Sequence, residues 1–327
     1  MPASHRLDLD LRTATFDDVQ LVADLEATRD PEDPHDPDLL RFWWTKSLLS
    51  GAAMRQVGLR DGVAIAFLSA RHDRWIPDAP RHFGWIRPVL HRDVWSEPNY
   101  RKLVTAGEEW LTSEAAHVAV VHVGEDFAQE IEALNHLGYR EVRRQRDSEL
   151  DLVAQRDHLL AEASRQRRKM QDQGVRLIPL SEDSDPDRLT KLHQMMEAAE
   201  QDIPSTVPMH GAPFDEWRRV TFDNPGVRED RFWIAREADA IVGLSVLSFP
   251  PGRGLPWTDF TATSKEVRGR GIARALKYET IAQAIELGYA KIRTSNDGDN
   301  VPILHINREM GYHLIRPVIE LHRELST

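Results

Sequence analysis

Residues Lys265–Lys277 read KEVRGRGIARALK. Three arginines and two glycines in so short a span fit two structures: a tight surface turn with solvated charges, or a loop built to hold an anion. The flanks decide between them. Ahead lies TDFTATSKEV (258–267), rich in Thr, Phe and Val as a strand is; behind lies GIARALKYETIAQAIELG (271–288), with apolar residues at helical spacing. Arg268–Ala273 therefore joins a strand to a helix. The first turn of a helix exposes about four unpaired amides at its partially positive end. Gly269 and Gly271 remove the side chains that would keep a ligand from those amides, and Arg268, Arg270 and Arg274 add guanidinium groups. A phosphate cradle is the natural inference.

Two common phosphate loops are excluded. No Gly-Lys-Ser/Thr closes the stretch, so it is not a P-loop. A third small residue of the dinucleotide fingerprint would stand where Arg274 is. What remains is Arg-x-x-Gly-x-Ala, formed by Arg268, Gly271 and Ala273.

The chain has 327 residues, long enough for two domains. With 41% hydrophobic and 29% charged residues it has the composition of a folded globular protein. The absence of cysteine removes disulfides, thiolate metal sites and cysteine nucleophiles. The fourteen histidines show no metal-ligand spacing, so no metal is expected. MPASHRLDLDLR has no apolar signal core, and no run approaches the roughly 18 apolar residues of a membrane span, so a cytoplasmic protein is expected. A net charge of −11 argues against nucleic-acid binding through the overall field. The excess of arginine over lysine hints at a bacterial source.

The chain reads as two similar halves. The first runs LDLDLRTA as a strand, a helix over 17–28, the Pro- and Asp-rich loop DPEDPHDPD, a hairpin turning at Asp61-Gly62, and the strands HFGWIRPVL and HVAVVHV around a helix near 100–111. A last helix, FAQEIEALNHLG, leads into YREVRRQ. The second half repeats this order: VRLIPL, a helix over 187–200, the loop DIPSTVPMHGAP, a hairpin turning at Ala238-Asp239, then strand, helix, strand and the helix VPILHINREMG. Between them, Val153–Gly174 reads as a linking helix stopped by its glycine, and its basic cluster Arg165, Arg167, Arg168 and Lys169 as a solvated face. The expected division is 1–152, 153–174 and 175–327.

The loop, with the helix, strand, Asn300 and Gly311-Tyr312 that follow it, resembles the GCN5-related N-acetyltransferases, whose loop consensus is Gln/Arg-x-x-Gly-x-Gly/Ala. The resemblance spans essentially all of 175–325. It implies an α/β fold with a mixed sheet, two tandem copies of the acyl-CoA N-acyltransferase fold, similar in plan to mycothiol synthase. It also implies acetyl-CoA as cosubstrate. Val267, Arg268, Gly269, Arg270, Gly271, Ile272, Ala273 and Arg274 would hold its pyrophosphate, Thr261, Ala262 and Thr263 would bind it from the strand, where a backbone N–H of Phe260–Thr263 would polarise the thioester carbonyl, and Asn300 and Asn307 would meet it from the last helix. Asn307 stands where many members have a tyrosine acid. Asp259 is the first candidate for the base or acceptor anchor, and a structural aspartate is the alternative; Glu200 and Asp202 are second, with a solvated helix end as theirs. The first half has no glycine between Val89 and Tyr100 and places Trp95 and Pro98 where the cradle would be, so it reads as a degenerate copy. The implied activity is transfer of an acetyl group to a small-molecule primary amine by a monomer or homodimer; the alternatives are a non-catalytic acyl-CoA-binding module and a peptide or protein N-acetyltransferase.

Overall fold

The computed structural model describes residues 9–72, 81–202, 205–207 and 211–326. Leu7 and Asp8 of the expected first strand, and Ile203, Pro204, Pro208, Met209 and His210 of the expected loop 202–213, lie outside them. The chain forms two compact units, Met1–Arg144 with Val318–Thr327, and Gln145–Pro317.

In the N-terminal unit, β1 (Arg12–Thr13), β2 (Ala52–Arg60), β3 (Val63–His72), β4 (Phe83–Leu90) and β5 (Val118–Gly124) follow one another across the sheet. The β2–β3 hairpin turns at Asp61 and Gly62, with φ of 52° and 80°. That double left-handed turn matches the twist of paired strands. The helices are α1 (Val19–Ala27), α2 (Pro37–Ser50), α3 (Glu97–Ser113) and α4 (Ala128–His136). The residues read as a Pro- and Asp-rich loop turn out to start α2: the Asp36 side chain accepts from the amides of Asp38 and Leu39, and Pro37 fills the first helical position.

The C-terminal unit repeats this plan with β7 (Val175–Pro179), α6 (Arg188–Glu200), α7 (Phe214–Phe222), β8 (Phe232–Glu237), β9 (Ala240–Ser248), β10 (Trp257–Thr263), α8 (Ile272–Glu286), β11 (Lys291–Asp297) and α9 (Val301–Glu309). Its sheet order is β11-β10-β9-β8-β7. The linking helix is α5 (Arg156–Asp172), ended by Gly174 at φ 75°.

The halves exchange their last strands. β6 (Arg140–Asp151) follows α4 in sequence, yet its residues 145–151 pair antiparallel with β11 in the C-terminal unit. Conversely, residues 318–324 of β12 (His313–Glu324) pair antiparallel with β5. Ile319 and Leu321 are buried among Ala119, Val121 and Leu134, while Leu150 joins Ile292 and Ile285. The units therefore differ from the contiguous division expected from sequence. Strand alternation marks a segment as a strand without naming the neighbour it will pair with.

Candidate active site

Three features of the C-terminal unit converge at the start of α8. Strand β10 ends at Thr263, and Lys265–Val267 forms a short 3₁₀ turn, so the strand is shorter than the expected 258–267. Gly269 and Gly271 follow at φ 79° and 89°, a left-handed conformation that side-chain-bearing residues adopt only under strain. α8 then begins without a side-chain cap. The amides of Val267 and Arg268 are taken by Ser264 O and Lys265 O, at 3.2 and 3.3 Å. Among the described residues, the amides of Gly269 through Arg274 have no acceptor, and the first bond of the helix runs from Ala275 N to Gly271 O at 3.0 Å. These amides are what an anion would meet.

Gly243 on β9 brings this helix end close to the sheet. A Cβ there would lie 3.0 Å from Leu276 Cδ1, 3.2 Å from Ile272 Cγ2 and 3.2 Å from Ala262 O. Val267 and Ile272 turn their side chains into the core with Ala275 and Leu276, so either residue faces a ligand through its backbone. The three arginines are already engaged: Arg268 pairs with Asp202 at 2.5 Å, Arg270 with Glu237 at 2.8 Å, and Arg274 with Glu309 on α9. Their guanidinium groups are held in place at the rim.

Beside this turn the sheet opens. Parallel β10 and β11 share the single register pair Trp257–Arg293, with Arg293 N donating to Pro256 O at 3.0 Å and Thr294 Oγ1 to Thr258 O at 3.1 Å. Beyond Thr258 the described pairing of β10 is with β9 alone. Thr261 bonds Ser245 on that side, oxygen to oxygen at 2.9 Å, while Ala262 and Thr263 stand opposite Leu244 and Gly243. A bulge between Thr258 and Phe260 leaves Asp259 as the unpaired residue, which re-aims its side chain. Asp259 is exposed at the surface, yet the protein crowded around it withdraws enough water to push its pKa up to about 7; the Ser248 hydroxyl pulls weakly the other way.

The other carboxylates divide. Glu200, half-buried at the end of α6, has a raised pKa, mainly because burial disfavours its charge. Asp202 is held below the usual range by hydrogen bonds from Lys265 and Arg268, which leaves it ionised and tied to the loop. On α9, Asn300 caps the helix, its Oδ1 accepting from Ile303 N at 3.5 Å. Asn307 is buried and donates to Asn296 Oδ1 at 2.6 Å; its own Oδ1 has no partner among the described residues. Tyr278 and Tyr312 are core residues, and Tyr289 packs on Phe249 with 4.8 Å between ring centres.

Two lysines on α8 and α5 have surroundings that the sequence reading did not single out. Lys277 on α8 is 1% exposed, with its ammonium 5.2 Å from the centre of the Tyr312 ring and its pKa lowered to about 7 by burial. The signal available was a lysine in the otherwise apolar and small stripe shared with Thr280 and Ala284. Lys169 of α5 comes to Gly271; spacing within its own helix gives no sign of that.

The corresponding strand-to-helix junction of the N-terminal unit is built differently. The start of α3 is capped by Ser96, whose Oγ accepts from Asn99 N at 3.3 Å, and Pro98 lies in the first turn. Arg29 spans from Pro88 O on β4 (3.5 Å) to Glu130 on α4 (2.9 Å), lying 4.1 Å from the centre of the Phe127 ring. The side-chain cap at the start of α3 contrasts with the uncapped start of α8.

Residues 192–312, all within the C-terminal unit, match the Acetyltransferase (GNAT) family. No curated protein matches the sequence. Among solved structures, a GCN5-related N-acetyltransferase from Sphaerobacter thermophilus superposes with a TM-score of 0.69 at 19% identity, covering 97% of this chain and 96% of that one. A tandem GNAT protein from the clavulanic acid biosynthesis pathway superposes with a TM-score of 0.71 at 14% identity, covering 97% and 99%. The glucosamine N-acetyltransferase region of a fungal multi-domain β-N-acetylglucosaminidase gives 0.67 at 14% identity, covering 96% of this chain and 38% of that one. The architecture is thus a tandem GNAT fold, an α/β fold with mixed sheets.

Proposed function

We propose that this protein is an acetyl-CoA-dependent N-acetyltransferase that acts on a primary amine of a small molecule. The observation that carries the proposal is the uncapped start of α8, with two glycines at positive φ and unpaired amides from Gly269 to Arg274, inside the segment that matches the family. These amides would hold the diphosphate, and the unpaired side of β10 from Phe260 to Thr263 would line the acyl arm. The bound cosubstrate supplies an acyl thioester. A protonated amine is not a nucleophile, so the site must first remove a proton. Asp259, re-aimed by the bulge and titrating near neutral pH, accepts it at its carboxylate. Asn307, buried on α9, can hold a hydrogen bond but cannot release a proton. An ordinary thiol has a pKa near 8.5, so a departing thiolate needs little assistance at neutral pH. The glucosamine acceptor of one structural neighbour supports a small amine here.

Asparagine at 307 favours one rival, a module that binds acyl-CoA without transferring. Calorimetric titration of acetyl-CoA into the wild type and Gly271→Trp tests the cradle, with thermal melts to show that the variant is folded. One site in the wild type and none in the variant is expected; absence of wild-type binding refutes the proposal. Release of free CoA thiol across a panel of amines then separates transferase from module: binding without release with any amine leaves the module.

A further inference from the structure

We infer that Lys169 of the linking helix is a cation of the acyl-CoA site, its ammonium placed to contact the diphosphate at the start of α8. The inference rests on the function proposed above, and extends the site to a helix outside the matched segment 192–312.

α5 is fixed against α8 on either side of Lys169. Arg167, two residues before it, donates through Nε to Glu279 at 2.8 Å. Gln173, four residues after it, donates to Arg270 O at 3.5 Å and accepts from Arg270 Nε at 3.4 Å. Between these anchors the Lys169 ammonium reaches the cradle: its Nζ lies 3.5 Å from the position a Cβ on Gly271 would take. The residue is otherwise exposed.

Electrostatics makes this placement unusual. A helix start carries partial positive charge, and a cation beside it is repelled. Arg268, Arg270 and Arg274 add to that field, but each is paired with a carboxylate, Asp202 (shared with Lys265), Glu237 or Glu309. Lys169 has no carboxylate partner among the described residues. An ammonium that converges with unpaired amides at one glycine turn, without a counterion, is completed by an incoming anion. A diphosphate has the charge and the oxygens to accept from both.

The test is calorimetric binding of three probes to the full chain: acetyl-CoA, its 3′-dephospho form, and S-acetylpantetheine, which has no phosphate. Lys169→Ala should weaken the first two alike, by about 5- to 20-fold for one solvent-accessible charged contact, and leave the third unchanged. Lys169→Arg should retain most of the affinity and Lys169→Glu should lose more than alanine does. Because the side chain is exposed, melting temperatures should stay near that of the wild type. A loss confined to the 3′-phosphorylated probe overturns the assignment to the diphosphate, and an equal loss with all three probes overturns a phosphate contact altogether. Wild-type binding with an unchanged alanine variant overturns this inference alone. A wild type that binds no acetyl-CoA overturns the proposed function and this inference with it.

Discussion

Replacing Lys277 with methionine should make the C-terminal unit more stable. The lysine is 1% exposed, no carboxylate pairs with it among the described residues, and its ammonium rests only against the Tyr312 ring. Burial lowers its pKa from 10.5 to about 7. The folded state therefore binds this proton less tightly than the unfolded chain does. At about 1.4 kcal/mol per tenfold, the buried charge costs roughly 4 kcal/mol at pH 7, slightly more in acid, and under about 1 kcal/mol by pH 10.5. The sign follows from proton counts. Between pH 7 and 10.5 the unfolded chain holds the proton and the folded one does not, so the contribution of this residue to stability rises with pH. Methionine keeps a long flexible stem in nearly the same space without a charge. Urea unfolding of both proteins from pH 6 to 10.5, followed through the transition of this unit, measures the difference. The variant should lead by roughly 3–5 kcal/mol at pH 6, a rise in Tm of about 8–16 °C, and the lead should close as pH rises. Parallel pH profiles, or a variant less stable than the wild type throughout, would refute the reasoning.

Four more expectations concern the same unit. Under the proposed function, kcat/KM should rise with pH as Asp259 ionises around pH 7, and Asp259→Asn should remove that limb; a profile with the limb intact assigns the proton to another group. The raised pKa also means that Asp259 stabilises the fold below about pH 4 and that this contribution is lost as pH rises through 7, so the asparagine variant should gain on the wild type above neutrality. Arg236 is buried, with Nη2 at 2.6 Å from Asp183 and 2.7 Å from Asp185, so Arg236→Met should cost about 3–5 kcal/mol in urea melts by stranding Asp183; a loss under about 1 kcal/mol would contradict the burial argument. Gly243→Val should lift the first turn of α8 from the sheet, costing about 1–3 kcal/mol and weakening acetyl-CoA binding, whereas an unchanged affinity would mean that the helix end is not positioned there.

The sequence announces some of these features locally and others not at all. Asp61-Gly62 and Ala238 take the left-handed angles that hairpin turns require, and turn chemistry is written in adjacent residues. The glycines of the cradle are legible for the same reason. α2 was hidden because aspartates and prolines that read as a loop were acting as its cap and first turn; α7 begins directly after the loop that ends at Pro213, with Asp215 and Glu216 in its first turn. Lys169 carries no mark in the sequence and Lys277 only a faint one, a lysine in an apolar stripe, since their surroundings depend on how α5 packs on α8 and on how deeply α8 is buried. The exchange of β6 and β12 is invisible for a related reason: alternation predicts a strand, and pairing is a long-range choice.

That exchange sets a timetable for synthesis. The segment that completes the sheet beside β5, Val318–Glu324, emerges from the ribosome roughly 170 residues after Arg144, a delay of about 10–30 s at ~5–20 residues per second. For that interval the edge of β5 lacks its native partner, a condition that favours chaperone capture or pairing between nascent chains. A chain released at Pro317 would omit the closing strand of the unit made first. The N-terminal half is thus completed only by a segment made after the whole C-terminal unit.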